Sequence, residues 1–543
     1  MTKLGKILFT LAFLALVLFG VSRFWNRLAP DNLPKGLSKK SGASEVELAT
    51  TQTEVPRLVT PGAYTPKDNV VEIELSEYAG YAGLIVANGG LEPNDNSVFA
   101  QKHGFKLKIN LSEEESWSAL NSGKMAASAT TVDVLAVYGK QFQVVVPAQI
   151  GFSRGADGIV VRSDIKRIND LKGKLLVTAQ FTEAEFFIRY LAQEAGLGVA
   201  MPDGIDGEID AEKLNLVFSE DAFTAGDLFL KEMGGGKIAG CVTWAPKTTE
   251  VVEQSGGKAH ILATNRNLLI VADILIVNRG FAQQNPDKVA GLVSGLLEGN
   301  RMVRDNQAAH LDVIGRAFKW DAAQTQAELA KVHFSNLPEN MAFFSGAIDA
   351  AGSFGGIYQS AIYAYGNQLI RDPVDADRFV DLQHLQKLEA SGAFAEQKVA
   401  IAPLKTAGGP VEVDPLLSKD IRFLFAPNSS DLDLNNQENL KNLEAIKRLL
   451  TVSPGSTILL RGHVDNSLVE EFRKKGGDQF VRQMALKAVE FSKARAGEIK
   501  RLLVERHQTD PARLDIAGRG WDEPAGTDPE QNRRVEAQWF TLE

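Results

Sequence analysis

The sequence predicts a multidomain α/β protein with a membrane-spanning helix at its N-terminal end and a small α+β domain at its C-terminal end. Short β-branched runs alternate with amphipathic helical stretches from Val70 to about Ala393, which is the pattern of an α/β architecture. A second, shorter alternation of strands and helices occupies residues 418–543. The length of 543 residues also exceeds the size at which a single hydrophobic core stops growing, so several domains are expected.

An apolar run near the N-terminus predicts the membrane-spanning helix. Ile7–Val21 contains no charged residue and is preceded by two lysines. A helix over Leu4–Trp25 covers about 33 Å, enough for the roughly 30 Å hydrocarbon core of a bilayer. We therefore expect residues 1–27 to form an uncleaved signal anchor, followed by a flexible, proline-containing linker at residues 28–68. A cleaved signal peptide is the competing interpretation, although no small-x-small cleavage site follows the run.

Residues 69–393 are predicted to form one large α/β domain. Its strands should follow the short apolar runs, which are Val70–Leu75, Phe142–Val146, Gly158–Val161, Leu175–Thr178, Leu214–Phe218, Ala239–Val242 and Ile274–Val277. Thr182–Glu194, between two of these runs, carries an aromatic stripe at helical spacing and is predicted to be a helix. Ligands of α/β proteins bind at the carboxyl ends of strands and at helix N-termini, so the solute site is expected there.

Several residues at these strand ends and helix starts are candidate contacts for a small solute. They are Tyr78, Tyr81, Thr130, Thr131, Thr182, Trp244 and Asp273. Trp244 is the first choice among them, because an aromatic shelf suits a small organic ligand. Simpler alternatives remain open, with the tyrosines as packing residues, the threonines as helix caps and Asp273 as a structural residue ahead of an apolar strand. Thr182 and Glu185 have the spacing of a capping box. Glu183, beside that helix start, would disfavour an anionic ligand if it faced the cleft.

Four stretches of this domain occur in the order seen in a known family. They are Glu77–Ala87, Lys166–Val177, Cys241–Pro246 and Ala272–Val277. In that order they resemble the periplasmic substrate-binding proteins of the sulfonate/nitrate/taurine and pyrimidine-precursor type. The resemblance implies a two-lobed, type II periplasmic-binding-protein-like domain whose lobes are joined by crossing strands and close around a small molecule. It also implies an ABC-type permease or another envelope protein as a partner.

Composition and motif content exclude several classes of function. The net charge of −9 and the pI near 5.5 argue against non-specific nucleic-acid binding, which needs a basic face. Cys241 is the one cysteine and lies in an apolar segment, so we expect a buried structural thiol. The seven histidines are scattered, and no metal or cofactor is predicted. Because no nucleophile–base order and no paired-carboxylate motif is found, the chain is predicted not to be an enzyme.

Three separated pieces near the C-terminus combine acidic and basic side chains. They are Arg461–Asn466, Phe491–Ala496 and Asn532–Glu536. An aspartate and an arginine that face each other suit a zwitterionic ligand, because Arg offers a bidentate fork to a carboxylate and Asp accepts from an ammonium. In this order the motifs resemble the peptidoglycan-binding domain of the outer-membrane protein A (OmpA-like) family, over residues 418–543 and after a linker at residues 394–417.

The resemblance implies roles for individual residues. Asp465 would bind the amino group and Arg495 the carboxylate of the diaminopimelate side chain in the peptidoglycan stem peptide. Asn466, Asn532 and Arg534 would be supporting groups. The alternatives are a turn-capping aspartate and a surface arginine of a helix, and the neighbouring pair of arginines near residue 533 is ambiguous.

The same module departs from the family pattern in ways that concern ligand affinity more than fold. Val464 stands where the family usually has Thr, Ala488 stands for the usual Asn and Phe491 for the usual Leu. An insertion over Leu468–Lys487 lengthens the gap between the acidic and basic motifs, and it either extends a helix or adds a flap. Asn435, with a glutamate three residues later, is expected to cap the helix that follows it.

These expectations combine into a bacterial protein anchored in the inner membrane by a single helix, with its bulk in the periplasm. It would bind a small solute through its two-lobed domain and peptidoglycan through its C-terminal domain. One alternative is an envelope scaffold whose middle domain is a protein-interaction platform without solute binding. An enzyme is a further alternative, since some pyrimidine-precursor proteins share their fold with one. A proton-driven motor stator is disfavoured, because Ile7–Val21 lacks the acidic residue that such a protein needs.

Overall fold

The computed structural model describes residues 48–112, 116–345, 353–401, 416–421, 423, 425, 429–453 and 455–540. The predicted signal anchor at residues 1–27 and the first part of the predicted linker lie outside these ranges. Within them, no helix is both long and apolar enough to cross a membrane.

The first lobe is built on a six-stranded mixed sheet. With elements numbered along the chain, its strands are β1 (Val70–Leu75), β2 (Lys106–Leu111), β3 (Ala127–Thr131), β4 (Val144–Ser153), β11 (Ala272–Asn278) and β12 (Val332–Phe334). The spatial order is β12-β4-β11-β3-β1-β2, and β1 is parallel to β2 and β3 while the other pairs are antiparallel. Strands β4 and β11 are buried along their whole length, as expected for central strands covered on both faces.

Most helices of the described residues surround this first sheet. They are α1 (Ala82–Asn88), α2 (Val98–His103), α3 (Trp117–Asn121), α4 (Val132–Tyr138), α8 (Arg279–Gln284), α9 (Pro286–Asp305), α10 (Leu311–Phe318), α11 (Ala322–Leu329), α12 (Leu337–Ser345) and α14 (Gln383–Ala390). A short 3₁₀ turn, Ala79–Tyr81, follows β1 and leads into α1.

The second lobe has its own six-stranded sheet. Its strands are β5 (Asp157–Arg162), β6 (Leu175–Ala179), β7 (Val199–Ala200), β8 (Leu214–Ser219), β9 (Ile238–Trp244) and β10 (Ala259–Thr264), and its helices are α5 (Glu183–Glu194), α6 (Ala222–Glu232) and α7 (Lys247–Gln254). The order is β10-β5-β9-β6-β8-β7, with antiparallel pairing at β10-β5-β9 and parallel pairing elsewhere. Helix α13 (Phe354–Leu369) contacts α4 of the first lobe and α5 of the second.

Two neighbouring segments carry the chain between the two sheets. Residues 154–156 join β4 to β5, and residues 265–271 join β10 to β11. The Ser153 N–H donates to the Val271 carbonyl at 3.1 Å, and the Gly155 N–H donates to Asn265 Oδ1 at 2.7 Å. The two connections, called the hinge segments below, are therefore bonded to each other where the lobes meet.

A four-stranded sheet with helices forms the C-terminal module. Its elements are β13 (Leu417–Ile421), α15 (Gln437–Val452), β14 (Thr457–Gly462), α16 (Val469–His507), β15 (Leu514–Gly518), α17 (Pro529–Asn532) and β16 (Val535–Phe540), with the strand order β13-β16-β14-β15. A Cβ at Gly462 would lie 2.0 Å from the Ser492 carbonyl oxygen. Glycine is thus required there for the end of β14 to approach α16.

The C-terminal module packs on the second lobe and on one hinge segment. The Ser418 N–H donates to Asn169 Oδ1 at 2.8 Å, and Asn169 Nδ2 donates back to the Ser418 carbonyl at 2.9 Å. The Leu269 N–H, in hinge segment 265–271, donates to the Val452 carbonyl at the end of α15 at 2.9 Å. The module is therefore docked, and one of its contacts reaches the hinge itself.

Most predicted strands lie within two residues of the observed ones, and β1 has the predicted bounds. The strand predicted at Phe142–Val146 instead runs over Val144–Ser153, because Pro147 and Gln149 interrupt its apolar pattern without ending it. Cys241 is fully buried, as predicted.

Two local predictions need correction, and one open alternative is decided. Asn436, not Asn435, caps α15, and its Oδ1 accepts from the Glu438 and Asn439 N–H groups. Thr182 occupies the N-cap position of α5, but its hydroxyl donates to the Ala179 carbonyl instead of capping. The insertion Leu468–Lys487 lengthens α16, whose helical geometry breaks at residues 476 and 477.

Candidate functional site

A cavity of about 380 Å³ lies between the two lobes beside the hinge segments. Residues at or just beyond the carboxyl ends of β1, β3, β4, β6, β8 and β9 line it, together with residues at the starts of β5 and β11. Both lobes therefore contribute to its wall. This is where an α/β architecture presents side chains and free helix N–H groups to a ligand.

All seven residues predicted as solute contacts line this one cavity, namely Tyr78, Tyr81, Thr130, Thr131, Thr182, Trp244 and Asp273. The sheet register explains part of the convergence, because Asp273 on β11 lies opposite Thr131 on β3. Their role in binding stays a prediction.

The cavity has a buried carboxylate from each lobe. Asp157 begins β5, directly after one hinge segment, and Asp273 lies near the start of β11, directly after the other. Asp157 Oδ2 accepts hydrogen bonds from the Ser153 hydroxyl and from Asn265 Nδ2, the latter at 2.7 Å. Asp273 Oδ1 accepts from the Tyr81 hydroxyl at 3.4 Å, whereas its Oδ2 has no hydrogen-bond partner.

Burial makes ionisation of these carboxyl groups unfavourable. It raises the pKa of Asp157 to about 6, although the hydrogen bonds from Ser153 and Asn265 act in the opposite direction. Burial, and then the charge of Asp157, raises the pKa of Asp273 well above its usual value. Burial also raises the pKa of Asp133, the second residue of α4, to about 7. The hydrogen bonds that these acids accept within the protein do not offset the cost of burying their charges, so their pKa values stay raised.

Three further carboxylates line the same cavity, and the sequence prediction did not include them among its contacts. Glu183 is the first residue of α5 and faces the cavity, so the condition that disfavours an anionic ligand is met. Asp221 caps α6 through a bond from the Thr224 N–H at 2.7 Å, and Glu220 precedes it. Glu220 and Asp221 directly follow β8, and a position at the end of a strand is the same signal that identified the other contacts.

Aromatic rings form much of the remaining wall. Tyr78 and Tyr81 meet edge to face with ring centroids 5.3 Å apart, and Trp244 lies 5.3 Å from the ring of Phe223. Trp117 and Tyr138 also line the cavity, and no strand-end signal in the sequence marks either of them.

In the C-terminal module, the three predicted motifs meet at one surface. Asp465 follows β14 and accepts bonds from the Ser467 N–H and from Arg533 Nη1, each at 3.1 Å. Burial raises the pKa of Asp465, but these bonds outweigh it and the net pKa lies below the usual value. The guanidinium carbon of Arg495, on α16, lies 4.8 Å from the ring centroid of Phe425 and 4.5 Å from that of Phe491.

The predicted supporting residues occupy different environments. Asn466 is exposed beside Asp465. Asn532 is buried, and its Oδ1 accepts from the Ala525 N–H at 2.7 Å, so its amide stabilises a turn. Arg534 is nearly buried, 4.0 Å from Glu536, whereas the adjacent Arg533 contacts Asp465. The ambiguity of the arginine pair therefore resolves into one residue at the surface site and one in the packed interior.

Comparison with protein families gives a match for this module. Residues 424–538 match the OmpA family. Outer membrane protein Omp38 of Acinetobacter baumannii is 25% identical to the chain over 140 residues, which are 25% of this chain and 34% of that protein. The chain thus spans about a third of the length of the curated relative that it matches.

Solved structures with a similar arrangement cover the part of the chain before the OmpA domain. The periplasmic aliphatic sulphonate binding protein SsuA of Escherichia coli is 15% identical, with a TM-score of 0.43, and covers 58% of this chain and 97% of its own. The nitrate-binding protein NrtA of Synechocystis PCC 6803 is 12% identical, with a TM-score of 0.43, over 61% and 91%. A putative sulfonate-binding SsuA of Methylobacillus flagellatus KT is 16% identical, with a TM-score of 0.44, over 62% and 98%.

Proposed function

We propose that this protein binds a small solute between its two lobes and attaches non-covalently to peptidoglycan through its OmpA domain. The apolar run at Ile7–Val21 would anchor it in the inner membrane, with the described part of the chain in the periplasm. An ABC-type permease or another envelope protein is the expected partner. The proposed activity is binding, without a catalytic step.

The observation that carries the solute-binding proposal is a cavity that both lobes share at their hinge. Thr130 Oγ1 and Asp273 Oδ2 are buried in its wall and have no hydrogen-bond partner. An unsatisfied buried polar group destabilises a protein by roughly 1–3 kcal/mol, and binding sites are where such groups are retained. Because the two hinge segments lie beside the cavity, a change in the lobe angle would open or close it.

The observation that supports peptidoglycan attachment is the joint placement of Asp465, Arg533 and Arg495 on one surface of the OmpA domain. The rings of Phe425 and Phe491 contact the Arg495 guanidinium, whose planar fork suits bidentate contact with a carboxylate. Asp465 keeps its negative charge at neutral pH, because its pKa lies below the usual value. A zwitterionic diaminopimelate group would find both of its partners here.

Co-sedimentation of the purified full chain with diaminopimelate-type peptidoglycan tests this attachment. The unmodified protein is expected to pellet, and Asp465→Ala and Arg495→Ala are each expected to weaken binding by about 10-fold or more, since each removes a charge-assisted hydrogen bond. Arg506→Ala, an exposed position on the same helix, serves as the matched control and should pellet normally. Undiminished pelleting of both site variants would overturn the assignment.

A further inference from the structure

The charge and wall of the interlobe cavity assign a chemical class to its ligand: we propose that it takes a small organic cation, an amine or quaternary ammonium carried on an apolar body. This inference rests on the proposed binding of a solute between the lobes, and it specifies which solutes the site accepts.

The first support is the charge balance of the wall. Among the described residues that line the cavity, five carry carboxyl groups and none is Lys, Arg or His. Those acids are Asp157, Glu183, Glu220, Asp221 and Asp273. The described wall offers an anion no guanidinium or ammonium group to offset these five carboxyl groups. A cation would supply the missing counter-charge.

The second support is the state of the two buried acids. Asp273 Oδ2 is buried and unpartnered, and Thr130 Oγ1 is a second unpartnered oxygen in the same wall. Carboxylate and hydroxyl oxygens accept hydrogen bonds, and an ammonium group offers only donors. Asp157, which faces the cavity from the opposite lobe, can engage the same group once the lobes close. Asp273 on the first lobe and Asp157 on the second can therefore bind one positive charge between them, and this pair is called the clamp below.

The third support is the aromatic wall. The rings of Tyr78, Tyr81, Trp117, Tyr138 and Trp244 all line the cavity. Aromatic faces attract cations through their quadrupole and pack well against methylene and methyl groups, so they suit an alkylated ammonium better than a hydrated inorganic ion. The volume of about 380 Å³ also falls in the range of small-molecule sites, roughly 300–1,000 Å³.

The same acids make binding depend on pH. Titratable and charged groups of the elements packed around the clamp include Tyr78, Tyr81, Asp133, Glu183, Glu185, Glu220, Asp221, Arg154, Arg189 and Arg266. Of these cations, Arg154 donates to the carbonyl of Arg266 in a hinge segment, and Arg189 donates to Glu185. Burial raises the pKa of Asp157 to about 6, so below pH 6 the clamp loses charge and a bound cation loses its partner. Affinity should therefore rise with pH between about 5 and 8.

Isothermal titration and thermal shift of the full chain in detergent test the inference with matched probes. Putrescine, spermidine and choline supply the positive charge, 1,4-butanediol is a neutral isostere of putrescine, and ethanesulfonate and nitrate are the anions. At least one of the cations is expected to bind and raise the Tm, more strongly at pH 8 than at pH 5, while the neutral and anionic probes are not. Asp273→Asn and Asp157→Asn are each expected to weaken cation binding by about 10-fold or more, and Asp312→Asn, an exposed acid of the first lobe, is expected to change nothing.

A second measurement keeps the test independent of which cation is tried. Without any ligand, Asp273→Asn is expected to raise the Tm, because the substitution removes a buried, undercompensated carboxylate. Binding of ethanesulfonate or nitrate with no response to cations would overturn the cation inference and leave solute binding intact. A Tm that is unaffected by every probe, in the wild type and in both variants, would overturn the cation inference and solute binding together and favour an interaction platform.

Discussion

Glu194 of the second lobe forms an ion pair with Arg448 of the OmpA domain, and Lys419 contacts the same carboxylate at 3.4 Å. The Glu194 side chain is only 1% exposed and ends helix α5, where the helix dipole disfavours a negative charge. Two cations from the neighbouring domain compensate both effects. Charge pairing at this depth indicates a defined docked arrangement, because a buried carboxylate that lost its partners would strongly destabilise the protein.

Replacing Glu194 by Gln tests this docking. The variant keeps the shape of the side chain but leaves Arg448 and Lys419 without their anion, so unfolding free energy should fall by about 2 kcal/mol. Undocking should also expose the segment Leu416–Ser418, which is hydrogen-bonded to the second lobe, to proteases, and limited proteolysis would detect this as faster cleavage. Glu212→Gln, in an exposed pair with Lys172 of the same lobe, is the control and should behave like the wild type. Equal cleavage rates for all three proteins would contradict a docked OmpA domain.

Asn265 hydrogen-bonds both a hinge segment and an acid of the cavity, so its removal should change both the stability of the protein and the pKa of that acid. Its Oδ1 accepts from the Gly155 N–H and its Nδ2 donates to Asp157 Oδ2, each at 2.7 Å. Asn265→Ala is therefore expected to lower stability by about 2 kcal/mol. It should also raise the pKa of Asp157 further, since the lost bond favoured the charged form. A carboxyl group with a raised folded-state pKa loses stability as the pH rises from its unfolded-state pKa to its folded-state pKa, so a further raised pKa extends this loss to higher pH and the Tm of the variant should fall more than that of the wild type between pH 5 and 8. Parallel pH profiles would refute this link.

The sequence predicted those cavity residues that lie at the end of a strand, where ligands of α/β proteins bind. Tyr78, Thr131 and Trp244 each follow or end a strand, and that position alone brings them to one edge. The charge balance could not be predicted in the same way, because it depends on Asp157 and Asp273 converging from two lobes after separate chain crossings. Their raised pKa values arise from burial, which local sequence does not show.

The docking of the OmpA domain on the second lobe also could not be predicted from the sequence. Residues 394–417 have the composition of a linker, and that composition gives no sign of the reciprocal bonds between Asn169 and Ser418. Similarly, the adjacent asparagines 435 and 436 are chemically equivalent as caps, so only the three-dimensional start of α15 decides between them. Within the OmpA domain, by contrast, motif order was enough to bring Asp465 and Arg495 to one surface.

Arg533 and Arg534 are expected to separate ligand binding from stability. Arg533 contacts Asp465 at the surface, so Arg533→Ala should weaken peptidoglycan binding several-fold while the Tm stays close to that of the wild type. Arg534 is packed against Glu536 and donates to the Glu523 carbonyl, so Arg534→Ala should lower the Tm more than it weakens peptidoglycan binding. Pelleting and thermal unfolding of the two variants, measured in parallel, check the distinction. The reverse pattern would restore Arg534 as a ligand-supporting residue.

Glu536 should make the stability of the OmpA domain depend on acid pH. Arg461 lies 3.2 Å from its carboxylate and His463 lies 3.6 Å away. Burial raises the pKa of Glu536, but these partners outweigh it and lower the pKa to about 2. A carboxylate with a depressed folded-state pKa contributes stability that is complete above its usual pKa of about 4.5 and is lost as the pH falls towards 2. Glu536→Gln should therefore lower the Tm most at pH 6–7, and the difference from the wild type should shrink between pH 4.5 and 3. A difference that stays constant over this range would show that Glu536 acts through packing alone.

The same variant should also weaken peptidoglycan binding at neutral pH. Arg461, the partner of Glu536, lies on the strand that leads to Asp465, and loss of this ion pair should release the strand end.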